Sequence, residues 1–352
     1  MKASAKILVS LFVITIAVRL FFAFTIPNFT YESYFHLRQA EHILQTGLPL
    51  YHDDLSYGGR DIRFLPFFHY FMAFFGLFLP LEFAAKIIPN ILLASLIITT
   101  YLISKKATHH ETGSLLAAFI AAFLPILFST NSFTVNALFL PLTFLTIYAF
   151  LNIQEHAHRN SPQLRKHLYL YLILLFILSI TSPLAILLFV GFAIYFLLSL
   201  LEGQSINRAE LETAIFSFFF FLWIQFLFFK RSLLEQGISF IWQNVPSKII
   251  VQYFPKFPLA EALVLVSIIP FLSGAVVAYR SLFQHKNQKL FLLISLVIAA
   301  TILTWLRLIR FKQSLAFFSV ILAILFASFY QDAEKYVHKT RLAQYKKYLL
   351  PL

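Results

Sequence analysis

Apolar residues fill most of the chain in long blocks that are separated by short polar stretches. A helix that crosses a bilayer needs about 20 mostly apolar residues, and blocks of this length recur along the whole sequence. The pattern predicts ten membrane-spanning helices, near residues 7–26, 83–104, 114–130, 134–153, 168–184, 185–201, 213–229, 259–279, 290–306 and 312–330. We therefore expect an all-α protein, a polytopic membrane helical bundle of about ten spans.

One further apolar segment, 64–80, is not predicted to span the membrane. It contains Pro66 and Pro80, which interrupt a continuous helix. We interpret it as a re-entrant or interfacial helix inside a structured first external loop, 27–82. This choice also keeps the two lysines after the second span on the cytoplasmic side, as the positive-inside rule prefers.

The composition supports a membrane protein. The chain is 60% hydrophobic and only 12% charged, with a mean hydropathy of +0.79, whereas a soluble domain has about 25% charged residues. These values exclude a soluble enzyme, a disordered chain and a coiled coil, and we expect a single integral membrane domain over residues 1–352. Because the chain has no Cys, it has no disulfide, thiolate metal site or cysteine nucleophile.

The net charge of +13 indicates basic loops beside the lipid bilayer and not a nucleic-acid partner. With both termini cytoplasmic, 16 of the 28 Lys and Arg lie inside and ten lie outside. The stretch 331–352 is predicted to be a cytoplasmic basic amphipathic tail. We interpret it as a helix on the inner leaflet, with a partner-binding segment as the alternative.

The few acidic residues are concentrated in the first external loop. Residues 27–63 hold five of the 15 acids of the chain. The candidate site residues of this loop are Glu32, His36, Arg38, Asp53, Asp54, Asp61 and His69. Acid–base chemistry on a lipid-linked substrate needs such groups at the mouth of a helical bundle, and an ordinary solvated loop is the alternative.

Within this loop, Tyr34 to Thr46 is predicted to form a short amphipathic helix that ends at Gly47. Glu32 is expected just before its start, at the membrane edge. The N-terminus of a helix favours the ionised form of a nearby carboxylate, and an ionised carboxylate suits a general base.

A second candidate lies between the last two predicted spans, in Trp305-Leu-Arg-Leu-Ile-Arg-Phe-Lys312. Arg307 and Arg310 are three residues apart, so a helix would place them on one face, where they would clamp a phosphate. Snorkelling of both side chains to the interface is the alternative. The shared membrane side with the acidic loop favours phosphate binding.

The first third of the chain resembles a known family. Its ordered series runs through Tyr31-Glu-Ser-Tyr-Phe-His-Leu-Arg-Gln-Ala-Glu41, Gly47-Leu-Pro, Asp53-Asp54, Gly58-Gly-Arg60, Leu65-Pro-Phe-Phe-His-Tyr70 and Lys86-Ile-Ile-Pro-Asn90. This series resembles the GT-C membrane glycosyltransferases, which include the catalytic subunits of oligosaccharyltransferases and the polyprenyl-phosphate-sugar transferases. The resemblance covers roughly residues 1–155 and, more loosely, 300–330.

The resemblance implies transfer of a sugar from a polyprenyl-phosphate donor to a glycan or protein acceptor on the external face. It places the acid of the family at Glu32 and its late phosphate-binding arginine at Arg310. The second acid pair of the oligosaccharyltransferase branch is missing from 129–136. No metal site or other cofactor is therefore predicted, since Mg²⁺ or Mn²⁺ would bind weakly without those carboxylates.

We therefore expect an inverting glycosyltransferase with Glu32 as general base and the lipid phosphate held by Arg310 and Arg307. The residues expected to bind the sugar or the acceptor are Asp53, Asp54, Asp61, His36, Arg38 and His69. Three alternatives stay open. One is an oligosaccharyltransferase-like protein that lacks the soluble domain and needs a partner subunit, and another is a catalytically inactive lipid-binding scaffold of the same fold. The third, which the sequence favours least, is transport or flipping of a lipid-linked sugar.

Overall fold

The computed structural model describes residues 3–55, 58–158, 162–237, 259–284 and 287–340. In this part of the chain the helices are α1 (Ala3–Thr25), α2 (Tyr31–Thr46), α3 (Phe67–Gly76), α4 (Leu81–Ala94), α5 (Leu96–Thr108), α6 (Glu111–Ala122), α7 (Asn136–His158), α8 (Leu164–Thr181), α9 (Ile186–Leu201), α10 (Arg208–Gln236), α11 (Leu259–Val266), α12 (Ile268–Phe283), α13 (Gln288–Trp305) and α14 (Phe311–Lys339). Two short strands, β1 (His52–Asp53) and β2 (Arg60–Asp61), pair antiparallel with His52 opposite Asp61.

Eight helical segments of the described part are long and apolar enough to cross a membrane, and α11 with α12 makes a ninth if this bent pair counts as one span. The eight are Ala3–Thr25, Leu81–Thr108, Asn136–Ala157, Leu164–Thr181, Pro183–Leu201, Arg208–Glu235, Gln288–Trp305 and Phe311–Lys339. The protein is an all-α, multi-pass integral membrane bundle, which confirms the class predicted from the hydropathy pattern.

The segment expected to span the membrane over 114–130 is shorter in the structure. Its helix, α6, ends at Ala122, and Pro125 opens a short 3₁₀ turn. Twelve residues of α-helix are about 18 Å long, less than the roughly 30 Å of a hydrocarbon core. The segment still carries the chain from one end of the bundle to the other, because His110 contacts the end of α14 whereas Thr130 contacts α4.

The segment expected to be one straight span over 259–279 is bent by 88° between α11 and α12. Ser267 at the break has φ 72°, and Pro270 follows in the first turn of α12. Proline has no N–H to donate to the carbonyl four residues earlier, and its ring clashes with that carbonyl. A straight helix through this point is therefore disfavoured.

The apolar segment 64–80 contains a helix that is too short to cross a bilayer, and its interpretation as a re-entrant or interfacial helix stays a prediction. Its helix, α3, has 10 residues, about 15 Å, and lies between the two prolines. It packs against α2 and α4 through Phe68 and Met72, which are fully buried.

The predicted amphipathic helix is present as α2, and it begins three residues earlier than expected, at Tyr31. Glu32 therefore lies inside the first turn and not before it. The helix ends at Gly47, whose φ is 78° and whose N–H donates to the Ile43 carbonyl at 2.8 Å. Glycine tolerates this left-handed conformation without the strain that a Cβ would add.

The last helix, α14, extends to Lys339, so residues 331–339 of the expected separate tail continue the last span. Asp332 accepts a hydrogen bond from Arg280 at 3.1 Å, and Glu334 pairs with His110 at 2.6 Å. These partners lie on α12 and at the start of α6. The rest of the tail, 341–352 with Arg341, Lys346 and Lys347, lies outside the described residues.

Interhelical contacts divide the described loops between two ends of the bundle. The first, which we name the Glu32 end, contains α2, α3, the strand pair and the connections 123–135 and 306–310. The opposite end carries an ion-pair cluster in which Glu155 accepts from Lys106 at 2.9 Å and contacts Lys289 at 3.8 Å.

Candidate active site

The first turn of α2 is fixed by the connection between α6 and α7. The Thr30 N–H donates to the Asn131 carbonyl at 3.3 Å, and the Ser33 hydroxyl accepts from the Phe133 N–H at 2.8 Å. The Asn131 side chain donates to the Asn28 carbonyl at 2.9 Å. These bonds hold the backbone on both sides of Glu32, so the position of its carboxylate is set by the fold.

Arg310 forms an ion pair with Glu32 across 278 residues of sequence. Arg310 is the residue just before α14 and has an extended backbone, with φ −65° and ψ 142°. The Glu32 side chain is 53% exposed and that of Arg310 is 39% exposed. Exposed ion pairs contribute about 0–1 kcal/mol, so a ligand with more negative charge can exchange for the carboxylate on this guanidinium.

Arg307 and Arg310 do not lie on one helix face, so that expectation is wrong. Residues 306–310 form a turn between α13 and α14, in which Arg307 has φ 60°. The Ile309 side chain is buried in the core, while Arg307 is exposed. Of the two arginines, only Arg310 lies in the wall of the cavity described next.

A cavity of about 1430 Å³ opens beside the Glu32–Arg310 pair. Small-molecule pockets usually measure about 300–1,000 Å³, so this one suits a larger substrate. The charged side chains of its wall, within the described residues, are Arg38, Arg63, Arg310, Lys312, Glu32 and Glu261. Four cations against two carboxylates favour an anionic ligand.

Two histidines also line the cavity, and they contact each other. His36 Nδ1 and His69 Nε2 are 2.9 Å apart, and the two rings are stacked with centroids 5.1 Å apart. Burial, reinforced by the charge of Arg310, lowers the pKa of His36 to about 4. Burial and the neighbouring His36 lower the pKa of His69 to about 3, so both rings are neutral near pH 7.

The three aspartates of the loop lie outside the cavity wall. Asp53 pairs with Arg38 at 2.8 Å, and this contact holds the strand pair against α2. Asp61 and Asp54 flank His52, with oxygens 2.8 and 3.4 Å from its ring nitrogens. The hydrogen bond between His52 and Asp61 raises the pKa of His52 and lowers that of Asp61. Binding of sugar or acceptor by the aspartates stays a prediction.

The polar groups of the cavity do not match the ligand set of Mg²⁺ or Mn²⁺. The described part of the chain has no cluster of three or more His, Asp or Glu side chains suited to a metal ion. Glu32 faces a guanidinium, and Asn136 accepts a hydrogen bond from Gln313 at 3.4 Å. Hard divalent cations require several oxygen ligands, which these residues do not provide.

Three charged residues of the wall were not singled out by the sequence, namely Arg63, Glu261 and Lys312. Arg63 lies just before α3, Glu261 in the first turn of α11 and Lys312 in the first turn of α14. Each is a charged residue at the edge of an apolar segment on the predicted external side. A charged residue at the external edge of an apolar segment is therefore the sequence signal that could have identified these three residues.

The fold is that of the GT-C membrane glycosyltransferases, and the resemblance noted in the sequence is confirmed at this level. The archaeal oligosaccharyltransferase AglB from Archaeoglobus fulgidus, in complex with an inhibitory peptide and a dolichol-phosphate, matches with a TM-score of 0.68 and 14% identity, over 100% of this chain and 52% of that chain. The apo form of the Archaeoglobus fulgidus oligosaccharyltransferase matches with a TM-score of 0.63 and 14% identity, over 97% of this chain and 52% of that chain. ArnT from Cupriavidus metallidurans, bound to undecaprenyl phosphate, matches with a TM-score of 0.61 and 12% identity, over 92% of this chain and 60% of that chain.

In sequence, the chain is similar to dolichyl-phosphooligosaccharide-protein glycotransferase 2 of Archaeoglobus fulgidus. The two are 32% identical over an alignment of 136 residues, and the match covers 36% of this chain and 23% of that protein. No protein-family model matches the sequence. The chain spans about half the length of the oligosaccharyltransferase structures whose fold it shares.

Proposed function

We propose that the protein transfers a sugar from a polyprenyl-phosphate donor to a glycan or protein acceptor, with inversion at the anomeric carbon. The observation that carries this proposal is the Glu32–Arg310 ion pair in the wall of a large cationic cavity on a GT-C fold. The ligands bound in two of the structural neighbours, dolichol-phosphate and undecaprenyl phosphate, support a lipid phosphate as the anion.

In this mechanism the lipid phosphate takes the place of the Glu32 carboxylate on Arg310. A guanidinium can bind a phosphate through two parallel hydrogen bonds, and charge-assisted bonds of this kind are about twice as strong as neutral ones. The exchange releases Glu32 beside the bound donor. Donor binding therefore creates the free carboxylate that the reaction needs.

Glu32 then acts as the general base towards an acceptor hydroxyl. The acceptor oxygen bonds to the anomeric carbon as the bond from that carbon to the phosphate oxygen breaks, and the electron pair leaves with the lipid phosphate. This single displacement inverts the anomeric centre. Because phosphate is a good leaving group, orientation of the reactants and stabilisation of charge by Arg310 supply most of the rate enhancement.

The reaction takes place on the extracytoplasmic side in this proposal, with both termini cytoplasmic. The excess of Lys and Arg in the loops of the opposite end supports that orientation. The polyprenyl chain then lies in the bilayer beside the cavity mouth, and a partner subunit that recognises the acceptor would dock on the same side.

The decisive experiment measures sugar transfer from a radiolabelled polyprenyl-phosphate sugar to products released from the lipid. Glu32→Gln keeps the shape of the side chain and removes its basicity, so we expect turnover to fall by about 100-fold or more. Glu41→Gln is the matched control, since Glu41 lies on the same helix, is exposed and is absent from the cavity wall. Unchanged turnover in Glu32→Gln would remove Glu32 from the role of base.

Two other functions on the same fold make different predictions. An oligosaccharyltransferase-like reaction that depends on a partner subunit predicts turnover only after the partner is added, together with loss of turnover on chelation of divalent cations. A lipid-binding scaffold predicts tight binding of polyprenyl phosphate without turnover. The proposed transferase predicts turnover by the purified chain in the presence of a chelator.

A further inference from the structure

The histidine pair of the cavity wall is enclosed by aromatic side chains. His69 is 1% exposed, and the rings of Phe64 and Phe68 approach it edge-on, with centroids 4.9 and 5.7 Å away. His36 is packed in the same way against Phe35 and Phe68. Such packing fixes both ring planes, so the fold itself holds the two imidazoles in contact.

Either His36 Nδ1 or His69 Nε2 is the donor in the contact between the two rings, depending on the tautomers. His69 Nδ1 is buried, and the nearby Pro66 carbonyl favours a proton on this ring. A proton on Nδ1 of the neutral ring leaves Nε2 as an acceptor. His36 Nδ1–H then donates to His69 Nε2, and the lone pair of His36 is on Nε2.

The side chain of His36 is a neighbour of Glu32 on the side of α2 that lines the cavity. His36 follows Glu32 by four residues on α2, so the two side chains lie on the same face of the helix, one turn apart. Both line the cavity. Within the described residues no hydrogen bond is made to His36 Nε2, and the charge of Arg310 acts on this ring.

We propose that His36 Nε2, held in position by His69, accepts the proton that Glu32 removes from the acceptor. This step rests on the proposed function. The acceptor O–H bond breaks and its proton moves to a Glu32 oxygen while the sugar is transferred. The proton then passes from Glu32 to His36 Nε2 and from there to water, and the ionised Glu32 pairs with Arg310 again.

The proton transfer is coupled to the lipid phosphate through Arg310. The ionisable groups that face His36 are His69 from α3, Arg310 from the connection before α14 and Glu32 from its own helix. In the free protein the guanidinium disfavours the imidazolium form. A phosphate bound to Arg310 offsets that charge, so His36 becomes more basic when the donor is in place.

The first test measures this coupling without requiring turnover. The ¹⁵N spectrum of histidine-labelled protein is titrated with pH in detergent, with and without polyprenyl phosphate, and His36→Asn identifies the His36 signals. We expect polyprenyl phosphate to raise the pKa of His36 from about 4 by at least one unit. A pKa that does not move when the lipid is bound contradicts the proposal.

The second test separates proton transfer from structure. His36→Asn keeps an N–H near the Nδ1 position and has no basic nitrogen, so we expect an unchanged affinity for polyprenyl phosphate and a turnover number lowered about 100-fold. Imidazole added to His36→Ala should restore part of the turnover. Equal turnover in His36→Asn and the wild type, or no rescue by imidazole, contradicts the proposal.

His69 has a test of its own as a positioning residue. His69→Gln retains an acceptor near the Nε2 position and should keep turnover within about threefold, whereas His69→Leu should lose about tenfold with little change in the KM for the donor. His109→Asn is the control, because His109 is exposed at the opposite end and its φ of 57° suits Asn. Equal effects of Gln and Leu at position 69 contradict the positioning role.

The failures of the two proposals are distinguishable. Wild-type protein that transfers no sugar from any polyprenyl-phosphate donor contradicts the proposed function, and the proton step falls with it. Wild-type protein that transfers sugar, beside a fully active His36→Asn, contradicts only the role of His36.

Discussion

Arg19 is a guanidinium placed inside the helix bundle with a neutral partner. It is 2% exposed, its Nε donates to the Asn90 side-chain oxygen at 3.1 Å, and it lies 5.2 Å from the centroid of Phe128. The Asn90 amide donates in turn to the Thr130 carbonyl at 2.7 Å. Arg19 and Asn90 thus connect α1 and α4 to the connection that fixes the first turn of α2.

We expect Asn90→Leu to be strongly destabilising, because it leaves a buried charge and a buried carbonyl without their hydrogen bonds. Loss of one partner of a buried charge costs about 3–5 kcal/mol. Adding Arg19→Met to Asn90→Leu removes the charge and should recover much of that loss. Thermal unfolding of the two single variants and the double variant in detergent measures the coupling, and strictly additive effects would contradict it.

Sequence reasoning identified part of the candidate site at the residue scale. Glu32 was predicted from its place after the first span, and Arg310 from the basic segment before the last span. The pairing of these two residues was not predictable, because local patterns carry no information about a contact across 278 residues. The acid count of the first loop included the three aspartates, whose side chains contact Arg38 and His52 outside the cavity wall.

The ends of α2 and α3 follow the local chemistry of glycine and proline, and the sequence predicted both. Gly47 ends α2, and the two prolines around α3 limit its length. The bend at Ser267 and the early end of α6 were not predicted, since hydropathy measures how apolar a segment is and not whether its backbone is straight. Composition therefore predicts which segments are helical, whereas the bends and early ends of those helices depend on backbone conformation.

Close packing between helices is set by small residues, and Gly113 on α6 is the tightest case that involves backbone. A Cβ at this position would lie 2.9 Å from the Ala327 carbonyl oxygen of α14. In membranes, small residues allow helix backbones to approach each other. The short α6 is thereby held against the last span.

We expect Gly113→Ala to separate α6 from α14 and to lower the midpoint of thermal unfolding by several degrees, with a cost of about 1–3 kcal/mol. The carbonyl belongs to the backbone of a long helix, so it cannot move aside cheaply. Thr112→Ala on the same helix is the control and should leave the midpoint within about a degree. A midpoint for Gly113→Ala that equals that of the wild type would show that α6 can shift freely.

Across the whole molecule, charge is distributed unequally between the two ends. The opposite end carries the cluster of Lys106, Glu155 and Lys289, and α14 ends there in a basic segment. The Glu32 end carries the acids of the first loop and the cationic cavity. This asymmetry supports the orientation given in the proposed function, with the Glu32 end facing away from the cytoplasm.

The absence of Cys from the chain makes this orientation directly testable. Asp54→Cys places a thiol at a side chain that is 87% exposed at the Glu32 end, and Lys335→Cys places one at an exposed position near the end of α14. We expect a membrane-impermeant maleimide to label Asp54→Cys in intact cells and Lys335→Cys only after permeabilisation. The reverse pattern would invert the topology.

The Glu32–Arg310 pair also has a consequence for the timing of biosynthesis. A ribosome that adds about 5–20 residues per second needs roughly 14–56 s to proceed from the glutamate to the arginine, 278 residues later. Throughout that interval the nascent chain has the candidate base and lacks the arginine that would hold the lipid phosphate. On the proposed function, a partly translated chain therefore has no complete site for a lipid-linked donor until Arg310 has been added.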